Sequence, residues 1–348
     1  MEKTLTIVIP TYNMQDYLRR CLDSLIVPEE QMKQLEVLVI NDGSKDNSSA
    51  IAHEYQDKYP DTFRVIDKEN GNYGSCINRG LKEATGKYIK VLDADDHFEN
   101  KSLEEVLGIM SRVDVDLFLT DFCIISVNDV VTKKMSLMGK PKNHVFNFND
   151  FSVNPYEFIP MYFVAYRRDL LIRIKYTQSE GISYTDMQWV FLPMAYIGTA
   201  FYAPICLYHY LIGREGQTMD KSVIKKNAGQ LIKMVEGLID AYAKHCIDFS
   251  DTTNQFMIKT INLQLYKIYE LGLIQNAIDN ENLKGFDLFL KKTSKELYYV
   301  CGNLPISNTF RFRFIKRWRQ NSFKRLSAFQ IFVLKFIRIL QMIKIHIK

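Results

Sequence analysis

Three carboxylates fall within four residues at Asp93, Asp95 and Asp96, directly after the β-rich run 88–92. Carboxylates that are packed together repel one another and resist leaving water. A bound cation would explain why a chain places them at the end of a buried strand. Oxygen ligands in such a place suit Mg²⁺ or Mn²⁺, and either ion suits a diphosphate. The alternative is an acidic turn that caps a helix.

The first ninety residues predict strands that alternate with helices. Buried strands are expected over 4–10, 35–40 and 63–66, and a fourth over 88–92 carries the aspartates. This alternation indicates βαβ units and a parallel sheet, so the expected fold class is α/β. Ligands of such sheets bind beyond the carboxyl ends of the strands. Four polar loops fall at that edge: Pro10-Thr11-Tyr12-Asn13, Asn41-Asp42-Gly43-Ser44, Gly71-Asn72-Tyr73-Gly74 and Asp93-Ala94-Asp95.

Three helices are expected between these strands. Asn13 is a candidate N-cap for a helix over 14–24, whose apolar residues recur at helical spacing. Asp46 or Ser48 is expected to cap a second helix that ends near residue 59. A third helix is expected to reach Ala84. The loops that precede these helices should therefore converge on one site.

Taken in order, these motifs resemble glycosyltransferase family 2, which has the GT-A fold. The resemblance is dense over residues 4–100 and continues more thinly to about residue 220. It implies a Rossmann-like mixed sheet flanked by helices. It also implies inverting transfer of a sugar from a nucleoside diphosphate donor, usually with a divalent metal. The segments that carry it are Val-Ile-Pro-Thr-Tyr-Asn, Val-Ile-Asn-Asp-Gly-Ser-Lys-Asp-Asn-Ser, the Asn-Gly loop at 70–74 and Val-Leu-Asp-Ala-Asp-Asp.

The resemblance implies roles for residues in these loops. Pro10 and Tyr12 would border the nucleotide base, and Asp42 would hydrogen-bond the edge of a uracil. Asp93 would face the ribose and the sugar. Asp95 would bind the Mn²⁺ or Mg²⁺ that holds the diphosphate.

The glycine loop would also belong to the nucleotide site. Gly71 and Gly74, with Asn72 between them, would let the backbone come close to the nucleotide. The alternative for these glycines is an ordinary turn. Asp42, which lies in Asn-Asp-Gly, has the same alternative.

The middle of the chain is expected to complete the site. Strands are predicted over 116–121 and 161–168, and a loop passes into a helix at Asp186. A carboxylate at a helix N-terminus is stabilised as the anion, which suits a base. The resemblance implies a catalytic base at such a position, commonly the Asp of a Glu-Asp pair. Thr185 stands where Glu is common, and the alternative role for Asp186 is that of a helix cap.

A strand is expected over 204–210, followed by a glycine-containing loop that resembles the end of the family's catalytic domain. Gly213 and Gly216 make this loop a candidate mobile flap. His209 is a candidate third metal ligand, because neutral imidazole binds Mn²⁺ readily. A lone histidine in an aromatic strand is, however, more often packed in a core. Arg214 could offset the charge that grows on the diphosphate, or it could be a solvated surface residue.

Three parts are expected along the chain: a GT-A catalytic domain over 1–220, a helical region over 221–306 and a basic amphipathic tail over 307–348. Helical spacing of apolar residues supports the second part, which carries no chemistry that can be inferred from its residues. No stretch of 18 apolar residues without charge is present, so no membrane-spanning helix is expected.

The net charge of +5 conceals an asymmetry. From Ser307 to Lys348 there are eleven Lys and Arg and no Asp or Glu. Removing these eleven from the 45 basic residues leaves 34 against 40 acidic ones, a net charge of −6. The apolar residues of this tail follow one helical stripe: Phe329, Phe332, Val333, Phe336, Ile339, Leu340, Ile343 and Ile347.

Basic residues beside Trp and Phe suit an anionic membrane surface. The alternative is a helix that packs on the body of the protein or on another subunit, as in a homo-oligomer. Nucleic acid is disfavoured as a partner because the charge is confined to the tail. The predicted location is therefore cytoplasmic, at the inner face of the membrane.

The cysteines are scattered and form no Cys-x-x-Cys pair, so neither a zinc knuckle nor a disulfide framework is expected. Several lie in apolar runs, as buried free thiols do. Free thiols suggest a reducing compartment, and the absence of a signal peptide before the first strand agrees with the cytoplasm. The six are Cys21, Cys76, Cys123, Cys206, Cys246 and Cys301.

The residues together predict a metal-dependent inverting glycosyltransferase that acts on a nucleotide sugar, with uridine preferred through the resemblance. The acceptor is expected to be a hydroxyl of a glycan, of a lipid-linked sugar or of a wall or capsule polymer. A sugar nucleotidyltransferase is disfavoured because its Gly-rich basic loop after the first strand is absent. The remaining alternative is a catalytically weak, membrane-associated nucleotide-sugar-binding or scaffold protein.

Overall fold

The computed structural model describes residues 3–150, 159–214, 221–304 and 313–346, without the side chains of 221–222, 247 and 338–346. The chain divides into two compact units. The first comprises Met1–Gln217 with Ser250–Thr253, and the second comprises Thr218–Phe249 with Asn254–Lys348.

Within the described residues, the strands of the first unit form one ten-stranded mixed sheet. Their order is β3-β2-β1-β4-β9-β6-β10-β5, with β7 beside β6 and β8 beside β10. The strands are β1 (Leu5–Thr11), β2 (Leu35–Asn41), β3 (Phe63–Asp67), β4 (Tyr88–Val91), β5 (His97–Phe98), β6 (Leu117–Ile125), β7 (Val131–Met135), β8 (Val145–Asn147), β9 (Val164–Arg167) and β10 (Thr199–Leu211).

The helices of the first unit are α1 (Gln15–Asp23), α2 (Glu29–Met32), α3 (Ser48–Lys58), α4 (Asn72–Glu83), α5 (Asn100–Met110), α6 (Arg168–Arg173) and α7 (Asp186–Met194). Strands β1 to β4 pair in parallel, with Leu5 opposite Leu35 and Thr11 opposite Asn41. This register brings the loops after β1 and β2 to the same edge. The predicted α/β class is thereby confirmed.

Two local expectations were wrong. Asn13 is not the N-cap of α1; Met14 takes that position, and Asn13 has a φ of 53°. An asparagine tolerates this left-handed conformation because its side chain can bond locally. The strand expected over 161–168 begins instead with a 3₁₀ turn at Met161–Phe163 and continues as β9. Strand β9 lies antiparallel between β4 and β6, and this makes the sheet mixed.

The second unit is helical: α8 (Lys221–Lys226), α9 (Ala228–His245), α10 (Asp251–Leu273), α11 (Asn280–Thr293), α12 (Lys295–Asn303), α13 (Phe314–Gln320) and α14 (Ala328–His346). The first residues of α10, Asp251–Thr253, group with the first unit. The heptad-like stripe of α9 is buried, with Met234, Val235 and Ile239 fully inaccessible. The expected helical character of this part is therefore present.

Helix α13, the first described helix of the predicted basic tail, packs within the helical unit. Phe314 and Trp318 of α13 are fully buried, and the Trp318 indole donates to Oδ1 of Asn280 at 3.1 Å. Arg319 pairs with buried Asp287 at 2.7 Å. Packing on the rest of the protein, the alternative for this segment, therefore applies to α13. Residues 305–312, with Arg311 and Phe312, lie outside the described residues.

Helix α14 presents two different faces. Leu334 and Ile337 are buried, whereas Phe329, Phe332 and Phe336 are 75%, 66% and 53% exposed. These three phenylalanines therefore form an exposed apolar stripe on α14. Helices within the described part of the chain are all too short or too polar to cross a membrane.

The expectation of free thiols was wrong for two cysteines. Cys123 of β6 and Cys206 of β10 form a disulfide. Their strands are neighbours in the sheet, so residues 83 apart in the chain come together, a proximity that spacing could not reveal. Cys21, Cys76 and Cys301 are buried free thiols, as expected. Cys123 and Cys206 therefore do not support the inference of a reducing compartment, because that inference relied on free thiols.

Candidate active site

The three clustered carboxylates have different surroundings. Asp96 is 1% exposed, and its Oδ2 accepts a hydrogen bond from the Tyr208 hydroxyl at 2.6 Å. Its Oδ1 accepts from the Leu211 amide at 2.7 Å. Both donors belong to β10, so Asp96 fastens the aspartate loop to that strand. Asp93 and Asp95 are the two carboxylates left for ligand chemistry.

Asp93 lies in surroundings that disfavour its charged form. The Tyr73 hydroxyl donates to its Oδ1 at 2.8 Å, and its amide donates to the Tyr208 hydroxyl at 3.2 Å. Burial, followed by repulsion from Asp95, raises the pKa of Asp93 to about 7, and Asp186 adds to the rise. The structure therefore brings Asp95 and Asp186 within electrostatic range of Asp93.

Asp95 forms an ion pair with Arg214, in which Nε lies 2.5 Å from Oδ2. Both side chains are largely buried, at 13% and 15% exposure. The Arg214 guanidinium also lies 5.4 Å from the ring centroid of Tyr17. The residues beyond it that were expected to form a flap, including Gly216, lie outside the described residues.

Asp42 organises the loop after β3. Its Oδ1 forms a salt bridge with Lys68 and accepts from the Gly71 amide at 2.9 Å. Its own carbonyl accepts from the Asn70 side chain at 2.9 Å. The second and third polar loops therefore meet, as the register of a parallel sheet predicts. Lys68 had not been identified from the sequence.

The first two loops are joined through Asn13. Its amide donates to Ser44 Oγ at 3.0 Å, and its side-chain oxygen accepts from the Lys45 amide at 2.8 Å. Tyr12, beside it, is 46% exposed at the edge of the sheet, and Pro10 is half-buried. An exposed aromatic ring at this edge is suitable for contact with a base.

Gly74 is required for packing between two segments of the protein. A Cβ at this position would lie 2.0 Å from the carbonyl oxygen of Ser179. At Gly71 a Cβ would lie 2.6 Å from Ser75 Oγ. Asn72, the first residue of α4, has a left-handed φ of 66°. The contact at Gly74 binds α4 to the loop that leads to Asp186.

Asp186 is the first residue of α7, where the sequence placed it. The loop before it is fixed by two side-chain amides. Asn78 donates to the Gln178 carbonyl at 3.0 Å and accepts from its amide at 2.8 Å. Gln188 accepts from the Ser179 amide at 2.8 Å and donates to its hydroxyl at 2.9 Å. These bonds hold the start of α7 against α4.

Several residues of the site had not been identified from the sequence. Lys90 is 1% exposed, and its Nζ donates to the carbonyls of Tyr162 at 2.8 Å and Val164 at 3.2 Å. Burial lowers the pKa of Lys90 to about 7. The Tyr162 ring stacks on Tyr210 with centroids 4.5 Å apart. For Tyr210, the sequence signal was the alternation of Tyr208 and Tyr210 along an aromatic strand.

His209 lies in different surroundings from those of the aspartates. Its Nδ1 lies 3.1 Å from Nε2 of His97. Among the contacts of the described residues, none joins His209 to Asp93 or Asp95. Burial lowers the pKa of His209 and brings that of His97 down to about 4.

A divalent cation suits the chemistry of Asp93 and Asp95. Their oxygens are the hard ligands that Mn²⁺ and Mg²⁺ take in proteins. Burial, and then the neighbouring Asp95, raise the pKa of Asp93, and a cation would stabilise its carboxylate form. The residues present therefore fit the metal that the resemblance implies.

The first unit matches a known family by sequence. Residues 6–175 match the family described as Glycosyl transferase family 2. An uncharacterized glycosyltransferase of Mycoplasma genitalium is 43% identical over 126 residues, which are 35% of this chain and 41% of that protein. The uncharacterized glycosyltransferase YibD of Escherichia coli is 28% identical over 214 residues, 60% of this chain and 61% of that protein. The matches thus cover between 41% and 61% of these relatives.

Solved structures share the fold. Residues 1–349 of S. aureus TarS superpose with a TM-score of 0.59 at 16% identity, covering 84% of this chain and 82% of that one. The mannosyltransferase PcManGT of Pyrobaculum calidifontis, solved with GDP-Man and Mn²⁺, gives 0.50 at 16% identity, with 86% of each chain covered. The predicted GT-A fold is confirmed by these neighbours. Residues 6–175, just under half of the chain, are thus similar in sequence to glycosyltransferase family 2.

Proposed function

We propose that this protein is a metal-dependent inverting glycosyltransferase that moves a sugar from a nucleoside diphosphate to an acceptor hydroxyl. The observation that carries the proposal is the convergence of Asp186 with Asp93 and Asp95, close enough for Asp95 and Asp186 to raise the pKa of Asp93. One site thus holds a candidate base at a helix start and a candidate metal-binding pair at a strand end. The family match and the TarS structure in complex with UDP-GlcNAc agree with a nucleotide-sugar donor.

The donor is proposed to lie along the loops at the ends of β1 to β4. Tyr12 and Pro10 would border the base, and Asp42 would accept from the edge of a uracil. Gly71 and Asn72 would present backbone to the nucleotide. A divalent ion bound by Asp95, with Asp93 beside it, would neutralise the leaving diphosphate. Arg214, which already pairs with Asp95, is in place to bind the same diphosphate.

Asp186 is proposed as the general base. It is the first residue of α7, and a helix N-terminus stabilises a carboxylate anion. It would take the proton of the acceptor hydroxyl as the oxygen attacks the anomeric carbon from the side opposite the diphosphate. Attack from that side inverts the configuration. Thr185, at the position where a glutamate is common, is fully buried and offers no charge to the acceptor.

We also propose that the acceptor is lipid-linked or membrane-bound, because α14 is suited to an anionic membrane surface. Its exposed phenylalanines could insert among lipids, and Lys335 lies beside them. A cavity of about 480 Å³ near the start of α14 could receive a phosphate headgroup, since three of its lining residues are basic. The lining residues are Arg313, Lys316, Arg317, Gln320, Asn321 and Gln330.

The proposal is tested by incubating the full chain with single nucleotide sugars, Mn²⁺ and candidate acceptors, and by measuring released nucleoside diphosphate. Release with one donor, abolished by chelation and by Asp186→Asn, is the expected result. Donor binding without release in any combination would favour the alternative, a catalytically weak nucleotide-sugar-binding protein. No binding of any nucleotide sugar would overturn both.

A further inference from the structure

Away from the aspartates, three side chains form a row across neighbouring strands. His209 of β10 lies opposite Cys123 of β6 on one side and opposite His97 of β5 on the other. Partners in adjacent strands project from the same face of a sheet. The row therefore presents one sulfur and two imidazoles together.

A β-bulge adds a fourth residue. Cys206 precedes His209 by three positions, so a regular strand would send the two side chains to opposite faces. The register between β10 and β6 shifts between Cys206 and Tyr208, which resets this alternation. As a result, ligand atoms of Cys123, Cys206 and His209 lie within 4.8 Å of one another.

The spacing of this cluster suits a tetrahedral ion. Zinc with sulfur and nitrogen ligands needs ligand atoms about 3.3–3.8 Å apart, from Zn–S of ~2.3 Å and Zn–N of ~2.0–2.1 Å. Nδ1 of His209 also lies 3.1 Å from Nε2 of His97, a contact that orients the His209 ring. Because Cys123 and Cys206 form a disulfide, their sulfurs would have to separate by a small side-chain rotation.

We propose that Cys123, Cys206 and His209 bind Zn²⁺ when the two cysteines are reduced. A dithiol reductant would transfer two electrons to the disulfide, yield two thiols here and become a disulfide itself. Zn²⁺ would then displace one proton from each thiol and bind the two thiolates. Zinc and the disulfide exclude each other, so the site responds to the redox state.

The site is distinct from the Mn²⁺ or Mg²⁺ site proposed at Asp95. Thiolate and imidazole select zinc, whereas carboxylates select harder ions. His97 directly follows Asp96, which Tyr208 and Leu211 hold to β10. A metal that ties β6 and β10 together would therefore stiffen the strand to which the aspartate loop is attached.

The test uses the full chain, reduced with a phosphine, stripped with a chelator and then loaded with Zn²⁺ alone. Bound zinc is measured by elemental analysis after gel filtration, and Co²⁺ is used to detect a thiolate charge-transfer band. We expect one zinc per reduced chain, none per oxidised chain, and affinity at least about 100-fold weaker in the double variant Cys123→Ser, Cys206→Ser. Cys246→Ser, which changes a partly exposed free cysteine, should bind zinc like the wild type.

If circular dichroism shows that the double variant is unfolded, His209→Gln is used as a second test. It should also lose the zinc and the cobalt band, whereas Asp95→Ala should retain both. Absence of zinc from the reduced wild type would overturn the proposal. So would a cobalt band that survives in His209→Gln with unchanged zinc affinity, or zinc that is lost in Asp95→Ala.

Discussion

Arg214 pairs with Asp95 through a contact of 2.5 Å, so the side chain proposed to bind a metal already holds a cation. A divalent ion must displace this guanidinium or share the carboxylate with it. A diphosphate would offer Arg214 a new anionic partner. Metal and donor are therefore expected to bind more tightly together than either does alone.

Arg214→Gln should weaken this cooperativity between metal binding and donor binding. Without the guanidinium, Mn²⁺ should bind the donor-free protein about 10-fold more tightly, because a competitor is removed, a gain of roughly 1.4 kcal/mol. Turnover should fall by about 10²-fold or more through loss of a cation on the leaving group. Calorimetry of Mn²⁺ with and without UDP measures both effects. Arg19→Gln, which breaks an exposed pair with Glu54, is the control; weaker Mn²⁺ binding in the Arg214 variant would contradict the competition.

Asp186→Asn should lower kcat by ~10²–10⁴, the range of general base catalysis, with donor affinity nearly unchanged. The amide keeps the shape of the side chain but cannot accept the proton. Initial rates and UDP calorimetry test the two parts separately. Asp169→Asn is the matched control, since Asp169 is also in the first turn of a helix but is 74% exposed. Normal turnover in Asp186→Asn would move the base to another residue.

Gly74→Ala should disturb the site through packing. Its Cβ would lie 2.0 Å from the Ser179 carbonyl, so α4 and the loop before Asp186 must separate. We expect destabilisation of about 1–3 kcal/mol, as for an overpacked core, together with reduced turnover. Gly108→Ala is the contrast, because its Cβ meets its nearest atom at 3.6 Å and alanine favours helix α5. Equal denaturation midpoints for the two variants would refute this packing role.

Lys90 should make stability depend on pH. Its pKa is lowered to about 7 by burial, against 10.5 for an ordinary lysine. Between these values the unfolded chain binds a proton that the folded chain lacks, so the free energy of unfolding rises with pH over that window. The rise is at most roughly 5 kcal/mol, at about 1.4 kcal/mol per pKa unit. In Lys90→Met, the free energy of unfolding measured by urea titration should not show this rise between pH 7 and 10. If the free energies of the two proteins change with pH in the same way, Lys90 is not neutral in the folded protein.

Replacement of Phe329, Phe332 and Phe336 by Ser should weaken binding to anionic vesicles by at least about 10-fold, since each buried phenylalanine contributes roughly 1.5–3 kcal/mol. Co-sedimentation with phosphatidylglycerol vesicles measures the loss, and added salt should weaken the wild type. The control is Leu288→Ser with Tyr299→Ser, two exposed residues elsewhere in the helical unit. If the phenylalanine variant sediments like the wild type, α14 packs on another protein surface instead.

The sequence predicted those strands and helix ends that are determined by neighbouring residues in the chain. The apolar runs of β1 and β2 were assigned within one residue because they are buried along nearly their whole length. Asp186 was placed at a helix start because a polar loop passes there into an apolar helix. The register of a parallel sheet then sufficed to bring the first four loops together.

Contacts made between distant segments could not be predicted in this way. Strand β9 enters between β4 and β6 from more than seventy residues downstream of β4, and nothing in its own sequence specifies its neighbours. The disulfide of Cys123 with Cys206 and the clamp of Gln188 on Ser179 depend on the same long-range pairing. Trp318 was interpreted as part of a membrane-facing segment. Its burial against α11 depends on a contact with a residue 38 positions earlier, which the spacing of neighbouring residues does not indicate.

The bridge that Asn13 makes to Ser44 and Lys45 has a kinetic consequence. It holds the loops after β1 and β2 in one arrangement before any nucleotide is present. Little conformational entropy is then lost when the nucleotide half of a donor binds, and the same is true of the nucleoside diphosphate that remains after transfer. We therefore expect strong product inhibition, with departure of the spent nucleotide rather than bond breaking limiting the cycle.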